Sequence, residues 1–225
     1  MHNLDASFSG IGLWLRTRLQ PGDVVVDIGA NVGDYTSVAA SLVGGTGHVY
    51  AVEPGPDNAA LLNDRFRAHG NVTVIPAAVV DHTGTVPLFL DRRDGRRHSL
   101  ASGNVGKAGG SVEVRGISLD EVFSRLSRLK VIKIDAQGAE HQILRGAQTV
   151  LRALKPTLIL ELWPQGLVNL GATARRVLES LDAAGYDVHR LSAKGTLKPR
   201  HFIDTFLARA SRWNSINLAA LPGHE

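Results

Sequence analysis

Two strand ends in this sequence carry residues that could bind a charged nucleoside. In "VVVDIGANVGDYT" (residues 24–36) an apolar run ends at Asp27 and is followed by Gly29 and Gly33. Glu53 lies at the end of the next apolar run, "HVYAVEP", 24 residues beyond Gly29. Glycines in such a turn allow a ligand to approach the backbone closely, and an acid at the end of the second strand can accept hydrogen bonds from both hydroxyls of a ribose.

The order of the glycines indicates which nucleoside would fit. A dinucleotide site has the pattern Gly-x-Gly-x-x-Gly, so that a pyrophosphate lies on the helix N-terminus. Here the pattern is Asp-x-Gly-x-x-x-Gly, without the middle glycine. Asp27 would repel a phosphate and attract a cation. A nucleoside with a positive group and no phosphate meets these demands, and S-adenosylmethionine is such a molecule. The alternative is that the glycines serve packing alone.

The elements that must position these residues alternate along the chain. Apolar runs that read as strands are separated by helical patterns, which predicts a parallel sheet covered on both faces. Segments "VPLFLD" and "SVEVRG" alternate like exposed strands. The predicted strands of the main sheet are residues 23–29, 48–54, 71–79, 130–136, 156–162, 186–191 and 204–210. The predicted helices are residues 7–19, 33–43, 57–69, 118–126, 139–154 and 172–184.

The last two predicted strands are joined only by "SAKGTLKPRHFI" (residues 192–203). This segment, which shows no helical pattern, is too short for a parallel crossover, because such a connection needs a dozen residues or more and usually a helix. The last strand should therefore run antiparallel to its neighbours. We expect an α/β fold with a doubly wound, mostly parallel sheet in a single domain over residues 1–225, of which residues 1–21 form an N-terminal helical extension.

Composition excludes several classes of protein. No apolar run approaches the ~20 residues of a membrane span, and the N-terminal segment lacks the features of a secretory signal, so the cytoplasm is expected. The net charge of +4 is mild, and aromatic residues make up only 5% of the chain, which disfavours nucleic-acid binding. The basic cluster "DRRDGRRH" is either a solvated loop or a rim that attracts an anionic or sugar substrate.

Four segments resemble a known family. They are "VVDIGANVGDYT", "VYAVEPGPDN", "VRGISLDEV" and "VIKIDAQGAEHQILRGA", and they resemble the FkbM family of S-adenosylmethionine-dependent methyltransferases over residues 24–162. The segment "TFLAR" also resembles the last strand of that family. The resemblance implies a class I methyltransferase fold, which is Rossmann-like, and O-methylation of a hydroxyl, often on a sugar or in natural product biosynthesis. Gln137 departs from the family, which usually has Glu at this position.

The cofactor implied by these features is S-adenosyl-L-methionine, with S-adenosyl-L-homocysteine as the product. We expect it to be bound by residues of the glycine turn and of the neighbouring strand ends. These residues are Asp27, Gly29, Ala30, Asn31, Gly33, Tyr35, Thr36, Glu53, Pro54, Asn58, Ala78 and Asp135.

Candidate catalytic residues follow from the chemistry of methyl transfer. Most of the catalysis can come from aligning the acceptor oxygen with the methyl group, and a base that removes the hydroxyl proton adds ~10²–10⁴-fold. Asp135 and Glu161 interrupt apolar runs near the ends of the fourth and fifth strands, and Lys133 lies on the same side of its strand as Asp135. Lys133 and Asp135 form either a structural pair or part of the catalytic machinery.

His98 is the alternative base. It lies in a long glycine-rich loop, residues 91–110, which we expect to be mobile and to cover the active site when the acceptor binds. A metal ion is not expected, because "ELWPQ" provides no second acid beside Glu161.

The methyl acceptor stays open. A small-molecule or glycosidic hydroxyl is the leading prediction, with no nucleic-acid and no membrane partner, and a homodimer is left open. The alternatives are N-methylation, methylation of a larger acceptor such as a peptide or RNA, and a nucleoside-binding module without activity.

Overall fold

The computed structural model describes residues 9–91, 97–106, 108–210 and 214–223. The strands in this part of the chain are β1 (Val24–Ile28), β2 (His48–Val52), β3 (Val72–Ile75), β4 (Ala78–Val79), β5 (Gly84–Asp91), β6 (Ala108–Ile117), β7 (Val131–Ile134), β8 (Thr157–Leu162), β9 (Tyr186–Leu191), β10 (Leu197–Lys198) and β11 (Ile216–Pro222). The α-helices are α1 (Gly10–Arg18), α2 (Asp34–Val43), α3 (Pro56–Phe66), α4 (Leu119–Phe123), α5 (Glu140–Arg145), α6 (Gln148–Leu154), α7 (Pro164–Asn169), α8 (Ala174–Ala183) and α9 (His201–Leu207).

The main sheet has the strand order β10-β9-β11-β8-β7-β1-β2-β3. Strands β3, β2, β1, β7 and β8 run parallel, so the carboxyl ends of β1, β2 and β7 meet at one edge. Successive residues of these strands point to opposite faces. Val26 and Ile132 belong to the larger core cluster, whereas Val25 and Val131 pack with α1 and α2 on the other face. Burial on both faces explains why the strands read as continuous apolar runs, and the predicted α/β doubly wound fold is confirmed.

The last strand is antiparallel, as predicted, but it lies elsewhere in the chain. Residues 204–207 of the predicted last strand belong to α9, in which Ile203, Phe206 and Leu207 share one face at helical spacing and pack on the core. The last strand is β11, which pairs antiparallel with both β8 and β9 and so lies between them. The similarity of "TFLAR" to the last strand of the FkbM family was therefore misleading. At the edge of the sheet, β9 pairs antiparallel with β10.

A small second sheet carries the strands that were predicted to be exposed. Its order is β4-β6-β5, with β5 and β6 antiparallel. The predicted strand over residues 71–79 splits in two, because Pro76 has no N–H for a ladder and the chain then leaves the main sheet for the small one. The predicted helix over residues 139–154 is broken between α5 and α6, and α7 was not predicted. Within the described ranges, no helix combines the length and the apolar character that a membrane crossing requires.

Candidate functional site

A cavity of about 240 Å³ opens where β1, β2 and β7 end. Most of the residues that were expected to bind a cofactor line it, namely Gly29, Ala30, Asn31, Tyr35, Glu53, Pro54, Asn58, Ala78 and Asp135, together with the candidate catalytic residues Lys133 and His98. The residues that do not line it are Asp27, Gly33, Thr36 and Glu161. Lining residues that were not predicted from the sequence include Val79, Leu88 and Leu100. The alternation of apolar residues in "VPLFLD", which buries Leu88, could have indicated that residue.

The glycine turn brings the ends of β1 and β7 together. Gly29 has a φ of +70°, and a Cβ atom at this position would lie 2.0 Å from the backbone oxygen of Asp135. The close approach that requires a glycine is therefore made by the protein's own backbone. Asn31, two residues later, also has a positive φ of 52° and lines the cavity. Such backbone conformations outside glycine are uncommon and often found at binding sites.

Glu53 is held rigidly at the end of β2. Its side chain is buried, and its two oxygens accept hydrogen bonds from the backbone N–H groups of Asn31 (2.8 Å) and Gly55 (2.9 Å). Burial raises the pKa of Glu53, while these two N–H donors act in the opposite direction. The carboxyl group is thus oriented before any ligand arrives, and its remaining lone pairs can accept hydrogen bonds from hydroxyls.

Asp27 forms a buried ion pair with Lys133 beneath the turn. The Nζ of Lys133 lies 2.9 Å from Oδ1 of Asp27, and Thr36 donates its hydroxyl to Oδ2 at 2.7 Å. Lys133 also donates to the backbone oxygen of Gly29 at 3.3 Å. Asp27 and Thr36, which were expected to bind the cofactor, do not line the cavity, and Lys133 forms its ion pair with Asp27 and not with Asp135. Both residues instead stabilise the turn that borders the cavity.

The charge of Lys133 argues against a role as a base. Burial by itself would lower the pKa of this ammonium group, but the carboxylates of Asp27 and Asp135 outweigh burial and raise the pKa above its ordinary value. The ammonium group also lies 5.1 Å from the centre of the Tyr35 ring. Because Lys133 keeps its proton, it cannot accept another from a substrate.

A pair of acids lies at the ends of β7 and β8. The side-chain amide of Gln137 donates to Oδ1 of Asp135 at 2.9 Å, and the same nitrogen lies 3.4 Å from Oε2 of Glu161. Ser215 donates to the other oxygen of Glu161 at 2.6 Å. Burial and the neighbouring charge of Asp135 raise the pKa of Glu161 to about 7. Near neutral pH this acid pair can take up or release a proton.

The backbone of Gln137 is fixed by the segment after His98. Gln137 has a φ of +50°, and its carbonyl oxygen accepts hydrogen bonds from the Ser99 hydroxyl (3.0 Å) and the Asn104 amide (2.8 Å). Asn104 is buried and also donates to the carbonyl oxygen of Gly166 at 3.1 Å. Residues 99–105 of the predicted loop are therefore packed against Gln137 and Gly166. Residues 92–96 and 107 of that loop, with most of the arginine cluster, lie outside the described residues, and the mobility of the loop stays a prediction.

His98 lies on the β2 side of the cavity. Its Nδ1 accepts the backbone N–H of Asp91 at 3.1 Å. Its Cδ2 and Nε2 would be 2.6 and 3.1 Å from a Cβ atom built on Gly55, and Oε1 of Glu53 would be 2.9 Å from the same point. His98 and Glu53 thus approach one position from two directions. This placement favours a binding role over the predicted role as a base beside Asp135.

Two further features concern metals and buried acids. Across residues 9–91, 97–106, 108–210 and 214–223, no three His, Asp or Glu side chains are arranged to hold a metal ion. Glu140, at the start of α5, is buried, and its Oε1 accepts the N–H of Gly138 at 3.1 Å. Burial raises the pKa of Glu140 to about 8.

Relatives of known structure share this architecture. An FkbM methyltransferase from Methylobacillus flagellatus is 17% identical, with a TM-score of 0.56 over 90% of this chain and 44% of that one. Fibrillarin from Aeropyrum pernix, solved with bound S-adenosyl-L-methionine, is 14% identical, with a TM-score of 0.50 over 90% of this chain and 67% of that one. Identities this low establish the fold alone.

Comparisons of sequence go beyond the fold and bear on the family of the chain. A segment of 60 residues is 42% identical to part of a protein-L-isoaspartate O-methyltransferase from Ignicoccus hospitalis. The matched segment covers 26% of this chain and 28% of that protein. This chain therefore spans less than a third of that relative and less than half of the Methylobacillus protein. The profile of the family described as Methyltransferase FkbM domain matches residues 27–188, a range that contains Asp27, Glu53, Asp135 and Glu161. The chain belongs to the FkbM family of S-adenosylmethionine-dependent methyltransferases.

Proposed function

We propose that the protein transfers the methyl group of S-adenosyl-L-methionine to a hydroxyl oxygen of a small molecule, a sugar or a natural product. The observation that carries this proposal is the polarity of the cavity. A preorganised carboxyl group, Glu53, lies at the end of β2, and an acid pair, Asp135 and Glu161, lies at the ends of β7 and β8. The first group suits a ribose, and the second suits a reacting hydroxyl.

The residues beside the cavity fit this cofactor. Glu53 would accept the ribose hydroxyls, and Asn58 and Ala78 line the same space. The sulfonium group is a cation, and the nearby ion pair of Asp27 and Lys133 is neutral overall, so it neither attracts nor repels the cofactor strongly. The carboxylate of Asp135 adds negative charge at the end of β7, which favours a positive group at that end of the cavity.

The reaction itself is a single displacement. The acceptor oxygen forms a bond to the methyl carbon while the carbon–sulfur bond breaks, and the electron pair of that bond stays on sulfur as S-adenosyl-L-homocysteine forms. The hydroxyl proton passes to the acid pair, to Asp135 or through it to Glu161. Alignment of the two reactants supplies most of the rate, and the acid pair supplies a general base.

The other candidate bases fit this role less well. Lys133 is protonated and committed to Asp27. His98 accepts a backbone N–H at Nδ1, so in its neutral form the proton lies on Nε2 and that nitrogen is a donor. The acid pair is left as the acceptor of the proton.

The isoaspartate relative raises a second candidate, a peptide carboxylate as the acceptor. Two acids beside the transferring methyl would repel such a group, whereas a neutral hydroxyl meets no repulsion. The matched segment also covers only 26% of this chain. A hydroxyl is therefore the preferred acceptor, and amines, peptides and RNA are the outcomes that would replace it.

The test has two stages. Isothermal titration should give binding of both S-adenosyl-L-methionine and S-adenosyl-L-homocysteine. Methyl transfer from labelled cofactor is then measured on a panel of sugars, polyketide alcohols, amines and peptides. Asp135→Asn should lower turnover by ~100-fold or more at saturating cofactor, whereas the exposed Asp64→Asn should not. Cofactor binding without transfer to any panel member would indicate a nucleoside-binding module instead.

A further inference from the structure

We propose that His98 is a cofactor-binding residue, which donates its Nε2 proton to an oxygen of the ribose while Glu53 accepts the ribose hydroxyl protons. This inference rests on the proposed function, because it assigns a second group to the same nucleoside site. It gives the loop after β5 a role in recognising the cofactor and not in the chemistry of the acceptor.

The position of the imidazole is the first argument. His98 lines the cavity and approaches Gly55 so closely that its Cδ2 and Nε2 would lie 2.6 and 3.1 Å from a Cβ atom there. Oε1 of Glu53 would lie 2.9 Å from the same atom. The two side chains therefore border one small volume at the end of β2, which is where a ribose would meet Glu53.

The protonation pattern is the second argument. Nδ1 of His98 accepts the backbone N–H of Asp91 at 3.1 Å, which leaves Nε2 as the nitrogen that carries hydrogen in the neutral ring. The next residue is anchored as well, because Ser99 exchanges two backbone hydrogen bonds with Phe89, at 2.8 and 3.1 Å. The ring is thus held from β5 on one side and by the packed segment on the other, with Nε2 beside Gly55.

The chemistry of a ribose is the third argument. Each hydroxyl of the diol is both a donor and an acceptor. A carboxylate can only accept hydrogen bonds. Glu53 by itself would therefore accept from the hydroxyl protons of the diol, and the hydroxyl oxygens of the diol would receive no hydrogen bond from it. His98 supplies a donor for these oxygens. A site with both groups should discriminate against 2′-deoxy and 3′-deoxy nucleosides more strongly than a site with Glu53 alone.

Gly55 provides an independent probe of this geometry. Its φ of −66° and ψ of 118° are accessible to any residue, so its backbone does not require a glycine. The space does, because a Cβ atom would overlap the His98 ring. Gly55→Ala should therefore displace the imidazole and also crowd Oε1 of Glu53, which would lie 2.9 Å from the new Cβ atom. The part of its cost that comes from the imidazole should be absent when that ring has already been removed.

The experiment measures the affinity of S-adenosyl-L-homocysteine by titration, and of adenosine and its 2′-deoxy and 3′-deoxy analogues by competition. His98→Ala should weaken S-adenosyl-L-homocysteine and adenosine by a similar factor, about 3–10-fold for one hydrogen bond. It should also reduce the preference for adenosine over at least one deoxy analogue. His98→Gln, which keeps an N–H donor, should recover part of the loss, and the exposed His201→Ala serves as the matched control.

The cycle of Gly55→Ala and His98→Ala completes the test. The double variant should bind more tightly than the sum of the two single losses predicts. Unchanged affinities and unchanged deoxy discrimination in His98→Ala would overturn the proposal, as would full additivity in the cycle. These results differ from a failure of the proposed function itself, in which the unmodified protein would bind none of these nucleosides or would bind them without transferring a methyl group.

Discussion

Asp27 and Lys133 face each other across the β1–β7 pairing, and their side chains form an ion pair with 2.9 Å between Nζ and Oδ1. Both side chains are almost fully buried. A buried pair of this kind adds little net stability, but removing one partner leaves a charge without compensation. The ion pair therefore fixes the relative position of the two strands whose ends border the cavity.

Replacing Lys133 alone should destabilise the fold. We expect Lys133→Met to lower the free energy of unfolding by ~3–5 kcal/mol, because Asp27 is then buried without its partner. The double variant Asp27→Asn, Lys133→Met should recover a large part of this loss. Urea denaturation checks both values. Equal losses in the single and double variants would mean that the two residues are not coupled.

Glu53→Ala should weaken cofactor binding. Hydrogen bonds to a charged group contribute ~1.5–3 kcal/mol, so the dissociation constant of S-adenosyl-L-homocysteine should rise accordingly in isothermal titration. The exposed Glu179→Ala on α8 is the control. An affinity that survives the loss of Glu53 would move the ribose away from the end of β2.

Gly29→Ala should affect stability before it affects binding. The substitution places a Cβ atom 2.0 Å from the backbone oxygen of Asp135 at a φ of +70°. We expect a loss of more than about 1 kcal/mol, the cost of the left-handed conformation alone, visible as a lower melting temperature without any ligand. Gly70→Ala, where a Cβ atom meets open space, should change little. A normal melting temperature together with lost binding would instead assign the close contact at Gly29 to the cofactor.

The charge of the acid pair should change the ratio of the affinities for S-adenosyl-L-methionine and S-adenosyl-L-homocysteine. The pKa of Glu161 is raised to about 7, so the pair becomes more negative as pH rises through that value. The cationic S-adenosyl-L-methionine should gain affinity over the neutral S-adenosyl-L-homocysteine across this range. Glu161→Gln should flatten the pH dependence of the affinity ratio. A ratio that is already independent of pH in the unmodified protein would separate Glu161 from the sulfonium.

Glu140 should make the fold more stable in mild acid. Its folded-state pKa is raised to about 8 from an ordinary 4.5, so the folded protein binds the proton more tightly than the unfolded chain. The contribution of Glu140 to stability is therefore fully present below about pH 4.5 and is lost as pH rises toward 8. Chemical denaturation of Glu140→Gln should show a smaller decline over this window. A decline equal to that of the unmodified protein would place the titration elsewhere.

The strand ends could be predicted from the sequence, because a strand that is buried on both faces appears as a continuous apolar run. Mostly apolar runs led to Asp27, Glu53 and Asp135, and all three lie at the expected edge of the sheet. The partner of Lys133 was missed because it depends on the register between β1 and β7, which no local pattern encodes. The exact position of His98 could not be predicted for the same reason, since it depends on a hydrogen bond to β5.

The other source of error was the assignment of secondary structure from the hydrophobic periodicity of short segments. The spacing of Ile203, Phe206 and Leu207 is helical, but the flanking residues made the segment resemble a strand. The true last strand, "INLAALP", is rich in alanine, which has little tendency to form strands. Its place between β8 and β9 comes from packing in the middle of the sheet, where Leu218, Ala219 and Ala220 are fully buried.

The insertion of β11 between β8 and β9 imposes an order on the folding of the protein during its synthesis. As the chain leaves the ribosome, β8 and β9 appear first and cannot reach their final spacing until β11 has been made and has entered the gap. Ser215, which holds Glu161, precedes β11 directly, and Asn217 lies opposite Glu161 in the β11–β8 pairing. The surroundings of Glu161 are therefore completed only by this late segment, so a nascent chain in which β1, β2 and β7 have already paired still lacks the Ser215 hydrogen bond that holds Glu161.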